Sequence, residues 1–223
     1  MDWKKIYTSK LTSPKEAVKI IHSGDTVLIA HAAAEPDGLV SAMVDHVTEQ
    51  DLKNIHIVQQ HDMGACRFFE PGMERHFSYT SLFVGARSRN YIASGKGDFT
   101  PCFFNRIPNY VTEIDSADVF LVTLSKPDEH GFCSYGLSCD FAKEVGERRG
   151  TKVIAAINPN MPRVMGDNFI HVNNIDAIVE SEEPIHEHAR PVIGPVEEKI
   201  GAHIAGLVRD GDCLQLGIGA IPD

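Results

Sequence analysis

Two runs of small residues, His31-Ala32-Ala33-Ala34-Glu35-Pro36 and Gln215-Leu216-Gly217-Ile218-Gly219-Ala220-Ile221-Pro222, are where residue type and spacing in this sequence suit chemistry. Glycine and alanine let backbone come close to a ligand, and the first N–H groups of a following helix lack intrahelical partners. Such a spot favours a phosphate, a carboxylate or a developing oxyanion. His31 and Glu35 add an imidazole and a carboxyl to the first run, while the second run has two glycines. A glycine pair alone is equally compatible with a tight strand-to-helix turn that holds no ligand.

The elements that must position these runs occur twice. Residues 16–33 align with residues 203–220, Gly24-Asp25 lying over Gly211-Asp212 at an offset of 187 positions, and one gap then brings Pro36-Asp37 over Pro222-Asp223. Each copy reads as an amphipathic helix, a Gly-Asp turn that ends it, a short buried strand, and a small-residue loop running into a proline suited to a helix start. The duplication predicts two related α/β domains facing each other across a cleft, a common place for ligands.

Between the copies the pattern alternates strand and helix. Ser13-Pro14-Lys15-Glu16 has the capping-box form, opening a helix with Ala17, Ile20 and Ile21 on one face. A strand is expected over Thr26 to Ala30, then a helix from near Pro36 with Leu39, Val40, Met43, Val44 and Val47 at helical spacing, then a strand at Ile55 to Val58. Residues 60–110 are rich in glycine and give little periodicity. Val119 to Leu124 and Val153 to Ile157 are continuous apolar runs of the kind buried on both faces of a parallel sheet, with a helical stretch from Phe141 to Arg149 between them. Strands alternating with helices define an α/β class. The proline-containing, polar stretch from Ser181 to Pro195 reads as a linker. The expected organisation is therefore a complete domain over 1–190 and the start of a second over 191–223, truncated after its first helix (Val196, Ile200, Ile204, Leu207 and Val208 on one face) and a strand from Cys213 to Leu216. One strand cannot cover its own apolar surface, so further chain or a second polypeptide is expected to complete it.

Composition narrows the function classes. A formal net charge of −10 argues against nucleic-acid binding, which needs a concentrated basic surface. No apolar run reaches membrane-spanning length, and Met1-Asp2-Trp3-Lys4-Lys5 leads into a polar stretch rather than a signal peptide, so a cytoplasmic protein is expected. The five cysteines, Cys66, Cys102, Cys133, Cys139 and Cys213, are odd in number and include no Cys-x-x-Cys pair; they read as reduced thiols. His186-Glu187-His188 resembles a metal cluster only in composition and lies in the linker, so no metal is expected. Arg87 and Arg89 suit a carboxylate or phosphate, although loop arginines are usually solvated. Phe103 and Phe104 read as core or interface packing.

Four segments carry a resemblance. Gly211 to Pro222 is similar to the glycine-loop signature of the acetyl-CoA hydrolase/transferase family, the glutamate-dependent CoA-transferases. Asp128 to Ser138 and Asn158 to Asp167 resemble recurrent segments of the same family, and the opening Met1 to Tyr7 with the loop Ala33 to Pro36 is most similar to its 4-hydroxybutyrate CoA-transferases. The resemblance covers essentially the whole chain. It implies two similar open α/β domains with the active site between them, coenzyme A as acyl-CoA substrate, a short-chain carboxylate as partner, and a homo-oligomer. It further implies ping-pong chemistry in which a glutamate attacks the acyl-CoA and then carries CoA as a thioester. That nucleophile is expected after Asp223. Gln215, Leu216, Gly217, Ile218 and Gly219 match the family's CoA-binding loop, and their N–H groups are expected to face the thioester. His31 to Pro36 would wall the acyl pocket, with His31 either lining it or acting as a hydrogen-bonded wall residue. Glu35 is a candidate nucleophile for the isolated chain, against the commoner role of a carboxylate before a helix, capping. Two rivals remain open, a non-catalytic CoA-binding half that needs a second chain, and an acyl-CoA hydrolase in which water reaches the thioester.

Overall fold

A computed structural model describes residues 2–189, 192–217, 219 and 221–222. It divides into two compact units, Met1–His186 and Glu187–Asp223. In the first unit seven strands form one parallel sheet: β1 Thr26–Ile29, β2 Ile55–Gln59, β3 Phe77–Ser81, β4 Asp98–Phe99, β5 Val119–Leu124, β7 Lys152–Ile157 and β9 Ala177–Glu180, in the spatial order β4-β3-β2-β1-β5-β7-β9. A separate antiparallel pair joins β6 Phe132–Ser134 to β8 Phe169–His171. The helices of this unit are α1 Trp3–Lys10, α2 Pro14–Ala17, α3 Asp37–Glu49, α4 Ser88–Ala93, α5 Ile107–Asn109 and α6 Ala142–Glu147. Among the described residues no helix is long and apolar enough to cross a membrane.

Successive strand residues point to opposite faces of a sheet, and the two halves of the core follow that rule. Val27 and Ile29 of β1, Ile57 of β2 and Leu121 of β5 pack with α3 through Leu39, Val40, Met43, Val44 and Val47. Leu28, Val58, Phe120 and Val122 pack on the other side with Tyr135, Phe141, Val145 and Ile170. All six residues of β5 are buried, because it is central and covered on both faces. Full burial of one such aliphatic or aromatic side chain contributes about 1.5–3 kcal/mol.

The first-copy helix is shorter than its apolar spacing suggests. Ser13 Oγ accepts from the Glu16 N–H and starts α2, but after one α-turn the chain tightens into a 3₁₀ turn over Val18–Ile20. The Gly-Asp turn that follows recurs in the second unit. Gly24 has φ +92° and Gly211 φ +89°; the His22 N–H donates to Asp25 Oδ2 at 2.7 Å, and the Arg209 N–H donates to Asp212 Oδ2 at 2.8 Å. Left-handed φ is cheap for glycine alone, and an aspartate side chain that bonds back to the backbone closes such a turn.

Within the second unit, α7 Pro195–Ala205 begins with Glu197 Oε2 accepting from the Gly194 N–H, at 2.9 Å. Its Val196 and Ile204 are exposed, as are Leu207, Leu214 and Leu216. Residues 212–217 have no ladder partner among the described residues, so the expected strand from Cys213 to Leu216 is not formed. A strand exists only against a neighbour, and this unit has no other strand among its described residues.

Candidate functional site

The sheet order sets where a site can form. From β1 the chain steps outward through β2, β3 and β4, whereas β5, β7 and β9 lie on β1's other side, so the direction of winding reverses between β1 and β5. In open parallel α/β sheets ligands bind beyond the carboxyl ends of the strands at such a reversal. Here those ends carry His31 and the loop to Glu35 after β1, and Ser125 after β5.

His31 is buried, 9% exposed, and its Nε2 lies 2.6 Å from Asp140 Oδ2. The acceptor carboxylate assigns the ring proton to Nε2. The imidazole packs on Phe141, with ring centres 5.2 Å apart, and Phe104 lies 6.4 Å away on the rim. Asp140 is itself held: its Oδ1 accepts from the Phe141 N–H at 2.7 Å. The next residue, Ala32, has φ +50°, a left-handed conformation that costs a residue with a Cβ roughly 1–2 kcal/mol. Its N–H donates to the His61 carbonyl at 3.0 Å, which stitches the loop after β1 to the loop after β2.

Glu35 completes that stitch. Only 4% exposed, it accepts through Oε2 from the N–H groups of Met63 (2.9 Å) and Gly64 (3.0 Å). Burial pushes its carboxyl above the usual carboxylate range; the two N–H donors and His186 oppose the rise and Asp37 adds to it. The start of α3 is capped by another group, since Gly38 N–H donates to Glu183 Oε2 at 3.3 Å. The anion-favouring end of that helix thus holds a carboxylate of the chain's own. On the same loop after β2, Asp62 accepts from the N–H groups of Arg87 and Ser88, where the loop after β3 enters α4, and from the Ser88 hydroxyl, at 2.9, 3.2 and 2.5 Å. The arginine side chains Arg87 and Arg89 are exposed.

The two recurrent segments, Asp128 to Ser138 and Asn158 to Asp167, hold each other. Asp128 accepts from the His130 and Phe132 N–H groups through Oδ1 and pairs with Arg163 through Oδ2 at 2.6 Å, while Arg163 also donates to the Phe132 carbonyl. Phe103 is 82% exposed and Phe104 half-exposed, so neither belongs to the core. A cleft of about 460 Å³ between α1 and the ends of β7 and β9, walled by Trp3, Lys4, Tyr7, Lys126 and Glu180, contains none of the residues expected at the site.

In the second unit, Gln215, Leu216, Gly217 and Gly219 lie on an exposed loop, Gly219 with φ +128°; Ile218 lies outside the described residues. His186, of the run that resembles a metal cluster only in composition, is turned to Asp37, Nε2 to Oδ2 3.2 Å. Asp140 and Asp62 were not singled out by sequence reasoning. Asp140 stands two residues beyond the Asp128 to Ser138 segment, which was the available signal.

These features define a parallel open α/β domain whose strand ends hold a His–Asp pair, with His31 buried and Asp140 at the surface. Residues 1–187 match the family described as the acetyl-CoA hydrolase/transferase N-terminal domain, and the chain belongs to that family. It is 44% identical to the 4-hydroxybutyrate coenzyme A transferase of Clostridium kluyveri, over 100% of this chain and 52% of that protein. Among solved structures it resembles RipA from Yersinia pestis (TM-score 0.91, 32% identity, 100% of this chain and 54% of that one). It also resembles a 4-hydroxybutyrate CoA-transferase from Porphyromonas gingivalis (TM-score 0.73, 32% identity, 99% of this chain and 51% of that one). The chain spans about half the length of the relatives it matches.

Proposed function

We propose that this chain is the amino-terminal part of a CoA-transferase that moves CoA between a short-chain acyl-CoA and a carboxylic acid, with 4-hydroxybutyrate the favoured acyl group and acetyl-CoA the favoured donor. The observation that carries this reading is the likeness, over the whole chain, to relatives named as CoA-transferases. The part-buried His31–Asp140 pair at the strand-end reversal supports it. The recurring Gly-Asp turn supports a second domain of the same kind beginning at 191–223.

The chemistry proposed for the intact enzyme is nucleophilic. A glutamate carboxylate supplied from outside residues 1–223 attacks the thioester carbonyl; the C–S bond breaks and CoA leaves as thiolate, giving a mixed anhydride. The thiolate then attacks the glutamyl carbonyl, expelling the first acid and leaving a glutamyl-CoA thioester. The second acid attacks that thioester and the two half-steps run in reverse. Gln215 to Gly219 would present N–H groups to the oxyanion, and such a donor is worth about 3–4 kcal/mol. His31 would wall the acyl pocket.

Initial rates of the full-length protein with acetyl-CoA and 4-hydroxybutyrate test the reading. Parallel double-reciprocal lines and CoA transfer to acid in preference to water are expected. Thioester loss at a rate independent of the acceptor acid would assign a hydrolase, and CoA binding with no turnover a binding module.

A further inference from the structure

Glu35 and Asp37 each have a buried oxygen without a partner. Glu35 Oε2 is fully engaged by Met63 and Gly64, yet its Oε1 accepts nothing; Asp37 Oδ2 faces His186, yet its Oδ1 accepts nothing. Both orphaned oxygens converge on one spot. A methyl group added at Gly64 would overlap Asp37 Oδ1 and Glu35 Oε1 together, so the two carboxyls crowd the same small space in front of that glycine.

Two ionised carboxylates crowding one space repel, whereas one shared proton removes the repulsion and satisfies both oxygens. From this convergence we infer that Glu35 is a positioning residue that works as the neutral acid: its Oε2 holds the loop after β2 through two N–H groups, while the proton on Oε1 is turned toward Asp37. The distribution of partners places the proton on Glu35. Asp37 is already paired with His186 through Oδ2, while Glu35 is the more deeply buried of the two. The other titratable or charged groups around the pair are Cys66 and Asp62 on the loop after β2, Glu183 at the Gly38 N–H, and Arg87, whose charge acts on Cys66 and whose N–H bonds Asp62. Arg87 is the one cation among these; its side chain is exposed, and no ion pair joins it to Glu35 or Asp37 among the described residues.

The consequence reaches the crevice. Glu35 is four residues from His31, and the segment between them runs through the left-handed Ala32 and its bond to the His61 carbonyl. Releasing Glu35 from Met63 and Gly64 frees both loops that this bond joins. His31 would then lose the frame that keeps its ring between Phe104 and Phe141.

The part of this inference that concerns activity rests on the CoA-transferase reading; the part that concerns the proton does not. Infrared difference spectra of residues 1–223 against Glu35→Gln at neutral pH read the proton directly. A protonated-carboxyl C=O band is expected in the parent and absent from Glu35→Gln, and Asp37→Asn, which removes the repulsion, should make that band disappear at lower pH. No such band in the parent, or one that survives Glu35→Gln, overturns the inference. Glutamine can accept at one atom and donate at the other, whereas alanine does neither. In the full-length enzyme Glu35→Ala is therefore expected to lower kcat/KM on the order of a hundredfold, the scale of a misplaced reacting group, and Glu35→Gln to rescue most of it. Glu35→Gln should also keep the slow amide exchange of Met63 and Gly64 and erase the alkaline fall of kcat that ionisation of Glu35 produces. A folded Glu35→Gln enzyme as inactive as Glu35→Ala would overturn the positioning role in favour of a catalytic carboxylate. If the parent transfers no acyl group at all, the function proposed above fails while the infrared result still decides the proton.

Discussion

Asp140→Ala tests whether the His31–Asp140 contact is energetically real. The structure makes the expected cost calculable in outline. The bond is short, at 2.6 Å, and the two side chains are 11% and 23% exposed, so water replaces the lost carboxylate poorly. Leaving a buried donor unpaired costs about 1–3 kcal/mol. For a chain of this size each kcal/mol moves the midpoint by about 2–4 °C, so the variant is expected to melt roughly 2–12 °C below the parent. Since Asp140 Oδ1 also accepts from the Phe141 N–H, part of that cost belongs to the turn and not to His31. A double-mutant cycle separates the two. His31→Phe, Asp140→Ala and the double variant, followed by urea unfolding of residues 1–223, should give a coupling energy above about 0.5 kcal/mol. Additive effects would refute the reasoning: the pair would then be two neighbours, and the carboxylate would only close its own turn.

Three further outcomes follow from the same geometry. The Asp115 carboxyl is held below its ordinary value chiefly by the hydrogen bond from His56, at 2.9 Å, so its contribution is present above the unfolded carboxylate range and lost as pH falls through the folded value; Asp115→Asn should flatten the acid side of a stability-against-pH curve, and an unchanged slope would contradict this. Of the five thiols, Cys66 and Cys133 are buried, and burial pushes Cys133 up to about 12, so alkylation of the native chain should label Cys213 first and leave these two unmodified until unfolding; early labelling of either, read by peptide mass, would contradict the packing. Gly219→Val places a branched side chain at φ +128° and should lower acyl transfer by the full-length enzyme by about two orders of magnitude if its N–H serves the oxyanion; near-parental turnover in a normally stable variant would leave the loop as a turn only.

The regular part of the fold was legible because burial on both faces leaves a signature in consecutive residues. β5 occupies Val119–Leu124 as its apolar run indicates, and the five apolar positions from Leu39 to Val47 are the buried face of α3. β3 was not read. Phe77–Ser81 alternates apolar and polar over only five residues inside a glycine-rich stretch, and it becomes a strand because β2 lies alongside it. The Gly-Asp turns were legible for a local reason, their chemistry being contained within four residues. The same logic explains what was missed at the site. His31 and Glu35 stand in a loop whose composition marks it, but Asp140 is 109 positions from His31 and Gly64 29 from Glu35, and no local periodicity encodes such pairings. Conversely, the stretch from Cys213 to Leu216 has a strand's composition but no ladder partner among the described residues, which local composition cannot reveal.

The central claim is that this chain frames the acyl pocket of an enzyme that carries CoA on a glutamate. Mass spectrometry of the full-length protein after incubation with acetyl-CoA and no acceptor acid tests it most directly. The account predicts one CoA bound covalently per active site, on a glutamate located beyond Asp223 and released by 4-hydroxybutyrate with formation of its CoA ester. An adduct on Glu35, or an active transferase in which no enzyme-bound CoA accumulates or can be trapped by reduction, would contradict it.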